Sequence, residues 1–263
     1  MIAAGALASM ALLLAAPDTL PVASPAAAAA AVPRFAPPLG QPLTYRVTTR
    51  RAGRSGAMLS FTLVYALQWQ EAGRGYRLDA TLRRIESDAR PEVVRGLTGL
   101  LRPIVGETVS YLVGGDGRNV ALADPETLWA RVGQRTQDLA AAAQEPEARR
   151  VAELLTRLPA GERDRLVTAD IRALVAPANA AIPRVAGAGV SIRGDGAVQI
   201  IVATERGEPV ADAPLGIETH WSIDSRTGLV LGERRQSWID SPGGARRTLA
   251  EERIRALSTG DPG

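Results

Sequence analysis

The chain has 263 residues, 46% hydrophobic and 22% charged, a balance that excludes a fibrous or wholly disordered protein and allows one β-rich domain or two smaller ones. It has no cysteine and a single histidine, His220, which removes disulfides, thiol nucleophiles, thiolate metal sites and multi-histidine metal centres. Thirty-one basic residues, all Arg, against 28 acidic ones give only +3; the isoelectric point of about 9.9 follows from having no Lys to titrate, not from the clustered basic charge that nucleic-acid binding needs.

Residues 2–16 form an apolar run, followed by Pro17, Asp18 and a tract rich in Ala and Pro reaching Pro38. The run falls short of the roughly 20 apolar residues that cross a bilayer. Its length suits the apolar region of a signal peptide, with Ala-x-Ala cleavage options around Ala26 to Ala31, although no Arg precedes it. The expectation is a signal peptide over 1–31, a flexible leader over 32–42 and a soluble periplasmic protein. Cleavage would remove Asp18 and no Arg, bringing the charge near +4.

From Leu43 the hydrophobic period is two. Leu43, Tyr45 and Val47 alternate with Thr44, Arg46 and Thr48, and Ala57 to Trp69 keeps one apolar parity through Leu59, Phe61, Leu63, Tyr65 and Leu67. A Gly-containing turn at Glu71 to Gly75 leads into Tyr76, Leu78, Ala80 and Leu82, which completes a hairpin. The same pattern predicts strands around 109–113, 118–122, 190–193, 198–202, 217–223 and 229–239. A last strand at about 246–257 alternates poorly and would tolerate an edge position. Between Asp124 and Ala176 the period becomes helical. Asp124-Pro125-Glu126 reads as a helix start, a second helix begins at Glu145-Pro146-Glu147, Pro159-Ala160-Gly161 breaks it, and Val167, Ile171, Leu174 and Val175 predict a third. A short helix is also expected near Pro91 to Leu101.

These elements predict an α+β fold: a large curved antiparallel sheet, a half-barrel of about ten strands, covered on one face by a three-helix insert at about 124–176. The domain is expected to span 43–257, with a disordered tail at 258–263.

Three candidate sites emerge. Tyr45, Phe61, Tyr65, Trp69, Tyr76, Tyr111 and Trp221 all lie on the apolar parity of their strands, so they are either the lining of a cavity for an acyl chain or other apolar ligand, or an ordinary core. Among the Arg doublets, Arg84 and Arg235 continue inward parities and are candidates for an anionic head group, unless a bulge turns a doublet outward or Glu233 pairs with Arg235. His220 shares a face with Glu218 and Ser222, but no Gly-x-Ser-x-Gly motif accompanies it, and it reads as a surface histidine. The Asp-Gly sequences at Asp116 and Asp195 hold one carboxylate each and read as hairpin turns, not calcium loops. Neither a catalytic residue, nor a cofactor, nor a metal site is expected.

The leader, the long alternating hairpins, the helical insert and the turn Trp221-Ser222-Ile223-Asp224-x-x-Thr227-Gly228-Leu229 resemble periplasmic lipoprotein carriers and envelope proteins with a LolA-like half-barrel, over about residues 40–257. The resemblance carries no ligand residue across. The missing cysteine departs from the lipoprotein members, which argues for a soluble form. It implies a periplasmic carrier of an apolar or amphiphilic envelope component. The alternative is an envelope protein-interaction module, and a hydrolase comes third.

Overall fold

In the computed structural model, described over residues 34–53, 57–88, 101–142, 159–176, 189–210, 213–240 and 247–260, the period-two segments form ten strands. They are β1 (Leu43–Ala52), β2 (Met58–Ala72), β3 (Gly75–Ser87), β4 (Thr108–Gly114), β5 (Val120–Leu122), β6 (Gly189–Asp195), β7 (Val198–Val210), β8 (Ala213–Asp224), β9 (Val230–Asp240) and β10 (Arg247–Thr259). All pairings are antiparallel in one curved open sheet of order β5-β4-β3-β2-β1-β10-β9-β8-β7-β6. Each half is a simple meander, and β10 closes against β1 in the middle.

The last strand is therefore central, not an edge. Its alternation looks poor because its inward positions include Arg253 and Arg255, opposite Thr49 and Val47 of β1. Register breaks at Val64/Tyr65, Ser222/Ile223, Leu249/Glu251 and Gly207/Val210 add local twist, and such bulges are a common source of sheet curvature.

Two helices lie among the described residues, α1 (Pro125–Ala142) and α2 (Ala160–Leu174). Asp124 caps α1 as expected: its carboxylate accepts the Thr127 N–H at 3.0 Å, and hydrogen bonding from the Thr127 side chain and then its N–H holds the carboxyl below the usual range. The middle helix of the expected three, from Glu145, and the short one near Pro91 to Leu101 fall outside the described residues, Leu101 excepted. Pro159, expected only as a breaker, stands at the N-cap of α2, where a missing N–H costs nothing. Helix α2 buries Thr168, Ile171 and Leu174 against the inner face of the sheet, and Leu128 and Val132 of α1 join the same core.

Residues 34–42, expected as a flexible leader, are packed in place. Phe35 is 4% exposed, edge-on to Trp69 and Tyr76 with ring centroids 5.7 and 5.4 Å away. Ala36 N–H donates to the Thr227 carbonyl and Gly40 N–H to that of Trp69, so this strap runs from the β8–β9 turn to β2 across one end of the sheet. Ser258 and Thr259, assigned to the tail, continue β10, and Gly260 N–H donates to the Pro42 carbonyl. Residues 1–33 and 261–263 lie outside the described residues.

Candidate functional site

The inner face of the sheet can be read row by row from the registers. Beginning near the strap, Tyr65, Tyr45 and Leu257 form one row; the next is Leu63, Val47, Arg255, Glu233, Trp221 and Ile201. A third row reads Phe61, Thr49, Arg253, Arg235, Thr219 and Ala203, and the fourth Leu59, Arg51, Glu251, Ser237, Ile217 and Glu205. The face thus passes from aromatic and aliphatic near the strap to mixed apolar and charged at the far end.

Near the strap, helix and sheet are in direct contact. The Tyr45 hydroxyl donates to the Asp170 carbonyl at 3.1 Å and the Tyr111 hydroxyl to that of Val167 at 2.9 Å, a hydrogen bond between ring and helix backbone in each case. Burial pushes the phenols of Tyr45, Tyr65 and Tyr111 above their usual range. Of the seven aromatic candidates, Tyr45, Trp69 and Tyr111 are buried in the main core, while Phe61, Tyr65 and Tyr76 pack against it partly buried. Trp221 belongs to a second cluster with Ile201, Ala203, Ile223, Val230 and Ala176. The seven share one face, as parity predicts, and divide between two clusters, six in or against the first and Trp221 in the second.

Between the two clusters stands a buried ion group that the sequence reading missed. Arg255 donates from Nη1 to Glu233 Oε1 at 2.6 Å, and from Nε and Nη2 to Asp170 Oδ1 at 3.2 and 3.0 Å. Arg255 and Glu233 are nearly enclosed, and burial raises the Glu233 pKa despite the opposing charge of Arg255. The group fastens α2 to β9 and β10. The only trace of it in the sequence was the run of charges from Glu251 to Arg255.

The two Arg candidates part ways. Opposite Val64 and Tyr65 the β2–β3 register slips, leaving Arg83 bulged; Arg84 then faces the outer side, bonded to Glu86 beside Arg46. The inward assignment of Arg84 is thereby corrected by the bulge. Arg235 does face inward. Its nearest carboxylate is Glu205 at 3.6 Å, not Glu233, which Arg255 occupies. On the outer face Glu252, almost inaccessible, accepts from Arg50, Arg234 and Gln236. His220 lies exposed on that face with Nε2 2.6 Å from Glu218 Oε1.

Two clefts lie away from the inner rows: one of about 300 Å³ lined by Arg77, Ser110, Asp124 and Arg131 among others, and one of about 370 Å³ between Arg102, Val105 and α1. Among the described residues no cluster of acidic or histidine side chains could hold a metal ion, and no helix is long and apolar enough to cross a membrane.

No protein-family model matches the chain, and no curated protein does. Among solved structures, a presumed exported protein with a YmcC-like fold from Bacteroides fragilis aligns over 87% of this chain and 100% of its own, at 9% identity and a TM-score of 0.26. A presumed outer-membrane lipoprotein-sorting domain from Vibrio parahaemolyticus aligns over 84% and 86%, at 7% identity and a TM-score of 0.18. Scores at that level leave the architecture resting on the strand order itself.

Proposed function

We propose that the protein is an exported binding or carrier protein that takes an apolar or amphiphilic envelope component on the inner face of its sheet, at the end away from the strap. One observation supports this reading above the others. Apolar side chains continue into the third and fourth rows, where Phe61 and Leu59 are only partly buried, as is Ile85 opposite Leu63 at the end of the second row, with Arg51 facing Leu59. Their accessible carbon surface is what an acyl or similar chain would cover. The signal-peptide pattern at the amino terminus supports export of the cargo-binding domain.

The test is native mass spectrometry, with organic extraction, of protein purified from an envelope-containing host under mild conditions. A co-purifying amphiphile, lost when Phe61→Asp is introduced at the far end, is the expected result. A ligand-free species, with no uptake of added detergent or fatty acid, would refute the proposal.

A second reading has its own observation: edge strand β6 and its neighbour leave Val190, Ile192 and Ile200 exposed beside an edge that no described strand pairs. An envelope protein adding a strand there would make the chain an interaction module. Capture of a partner that Ile192→Lys abolishes, with no lipid bound, would favour it.

A further inference from the structure

We infer that the facing arginines Arg253 and Arg235 seat a phosphate-type anionic group, the head of the amphiphile proposed above; the tail rests on that carrier reading, the anion site does not. The two residues stand directly opposite each other on β10 and β9, with inward-facing Thr49 and Thr219 on either side. Like charges directly opposite in an antiparallel pair destabilise it. The neighbouring carboxylates make their direct ion pairs elsewhere, Glu233 and Asp170 with Arg255 and Glu251 with Arg51, so that Glu233 acts on Arg235 and Arg253 only through space. Glu205 approaches Arg235 only to 3.6 Å, beyond hydrogen-bond range.

Arg253 forms no ion pair with any described residue, and its Nε is buried without an acceptor. A buried donor left unmatched is costly. The hydroxyls of Thr49 and Thr219, residues only 5% and 4% exposed, are bonded to no described residue. One row therefore presents two guanidinium forks and two hydroxyls, all able to donate, and the Arg253 Nε among them is buried and unmatched. A tetrahedral oxyanion offers what they lack, and Arg is the side chain best shaped to grip it with paired N–H groups. In the same row Phe61 lies beyond Thr49, two strand spacings or about 10 Å from the Arg253 backbone, so head group and chain would have adjoining seats.

The experiment titrates the purified, delipidated full chain calorimetrically with three probes: dodecyl phosphate below its micelle concentration, dodecyl maltoside and inorganic phosphate. Dodecyl phosphate should bind more tightly than the maltoside. Arg253→Gln and Arg235→Gln should each weaken it about tenfold or more, leave maltoside binding unchanged, and melt no lower than the wild type when unliganded, since a repulsion has been relieved. Equal affinity for the two detergents, dodecyl phosphate binding that survives the double variant, or variants that melt clearly lower would overturn the anion site while sparing the carrier reading. Inorganic phosphate binding as tightly as dodecyl phosphate would uphold the anion site and remove the amphiphile. No binding of any probe would overturn both.

Discussion

Replacing Arg255 by Met is the sharpest probe of how α2 is held. The substitution keeps an unbranched side chain of similar reach but removes three hydrogen bonds, one to Glu233 and two to Asp170. The two carboxylates pay unequally. Asp170, with 24% of its side chain exposed, can be rehydrated, whereas Glu233, at 6%, stays buried without its counter-charge. Breaking one side of a buried pair costs about 3–5 kcal/mol, most of it here assigned to Glu233. That carboxyl already titrates high through burial, and losing Arg255 raises it further. An acid whose folded pKa is raised is least harmful below its unfolded pKa and progressively destabilising as pH climbs to the folded one. Urea denaturation between pH 5 and 8 should therefore show a loss that grows with pH. In the background of Glu233→Gln, the same Arg255→Met change should cost much less and lose its pH dependence. An Arg255→Met penalty that is constant with pH and unaltered by Glu233→Gln would refute the reasoning.

Other consequences can be measured in the same way. Phe35→Ala removes a buried ring stacked edge-on against Trp69 and Tyr76, and should cost about 3–5 kcal/mol in thermal or urea unfolding; a loss below about 0.5 kcal/mol would mean that the strap is not part of the core. Gly228 has φ of +69°, and a Cβ there would sit 3.0 Å from the Arg34 carbonyl oxygen. Gly228→Ala should thus destabilise by about 1–2 kcal/mol through the left-handed backbone alone, a loss that persists after deletion of residues 1–40 even though the contact with Arg34 is then gone. For Glu252, burial raises the pKa, but the bonds from Arg234, Gln236 and Arg50 outweigh it and leave the pKa lowered. Its stabilising contribution is present above the unfolded Glu value and fades as pH falls through the folded one. Glu252→Gln should accordingly flatten the acid limb of the stability profile, and an unchanged limb would contradict the assignment.

The sheet was legible in the sequence because β1 to β3 obey a two-residue period and the β2–β3 turn places Gly73 at a positive φ. The same parity placed Tyr45, Trp69 and Tyr111 inward, but it says nothing about what meets them; the hydroxyls of Tyr45 and Tyr111 meet the Asp170 and Val167 carbonyls. Parity failed where its assumptions did. A single extra residue at Arg83 reversed Arg84, and β10 read as a weak edge strand because charge pairing between strands is invisible in a hydropathy pattern. Phe35 was overlooked because it lies in a Pro-rich stretch without periodicity, and its burial depends on Trp69 and Tyr76, more than 30 residues further along. Arg253 had no signal of its own; its significance comes from standing opposite Arg235 across the β9–β10 seam.

The strand order also bears on how the chain is made. Because β1 finds its second neighbour only in β10, with Thr44 bonding to Gly260 across 216 positions, the middle of the sheet is zipped last. During synthesis the first meander carries β1 as a bare flank, with Leu43, Tyr45 and Val47 lacking half of their surroundings until the final strand emerges. A nascent chain of this topology is vulnerable to association with others like it for nearly the whole of translation, so an export route that keeps it unfolded until the C-terminus has crossed would protect it from its own centre.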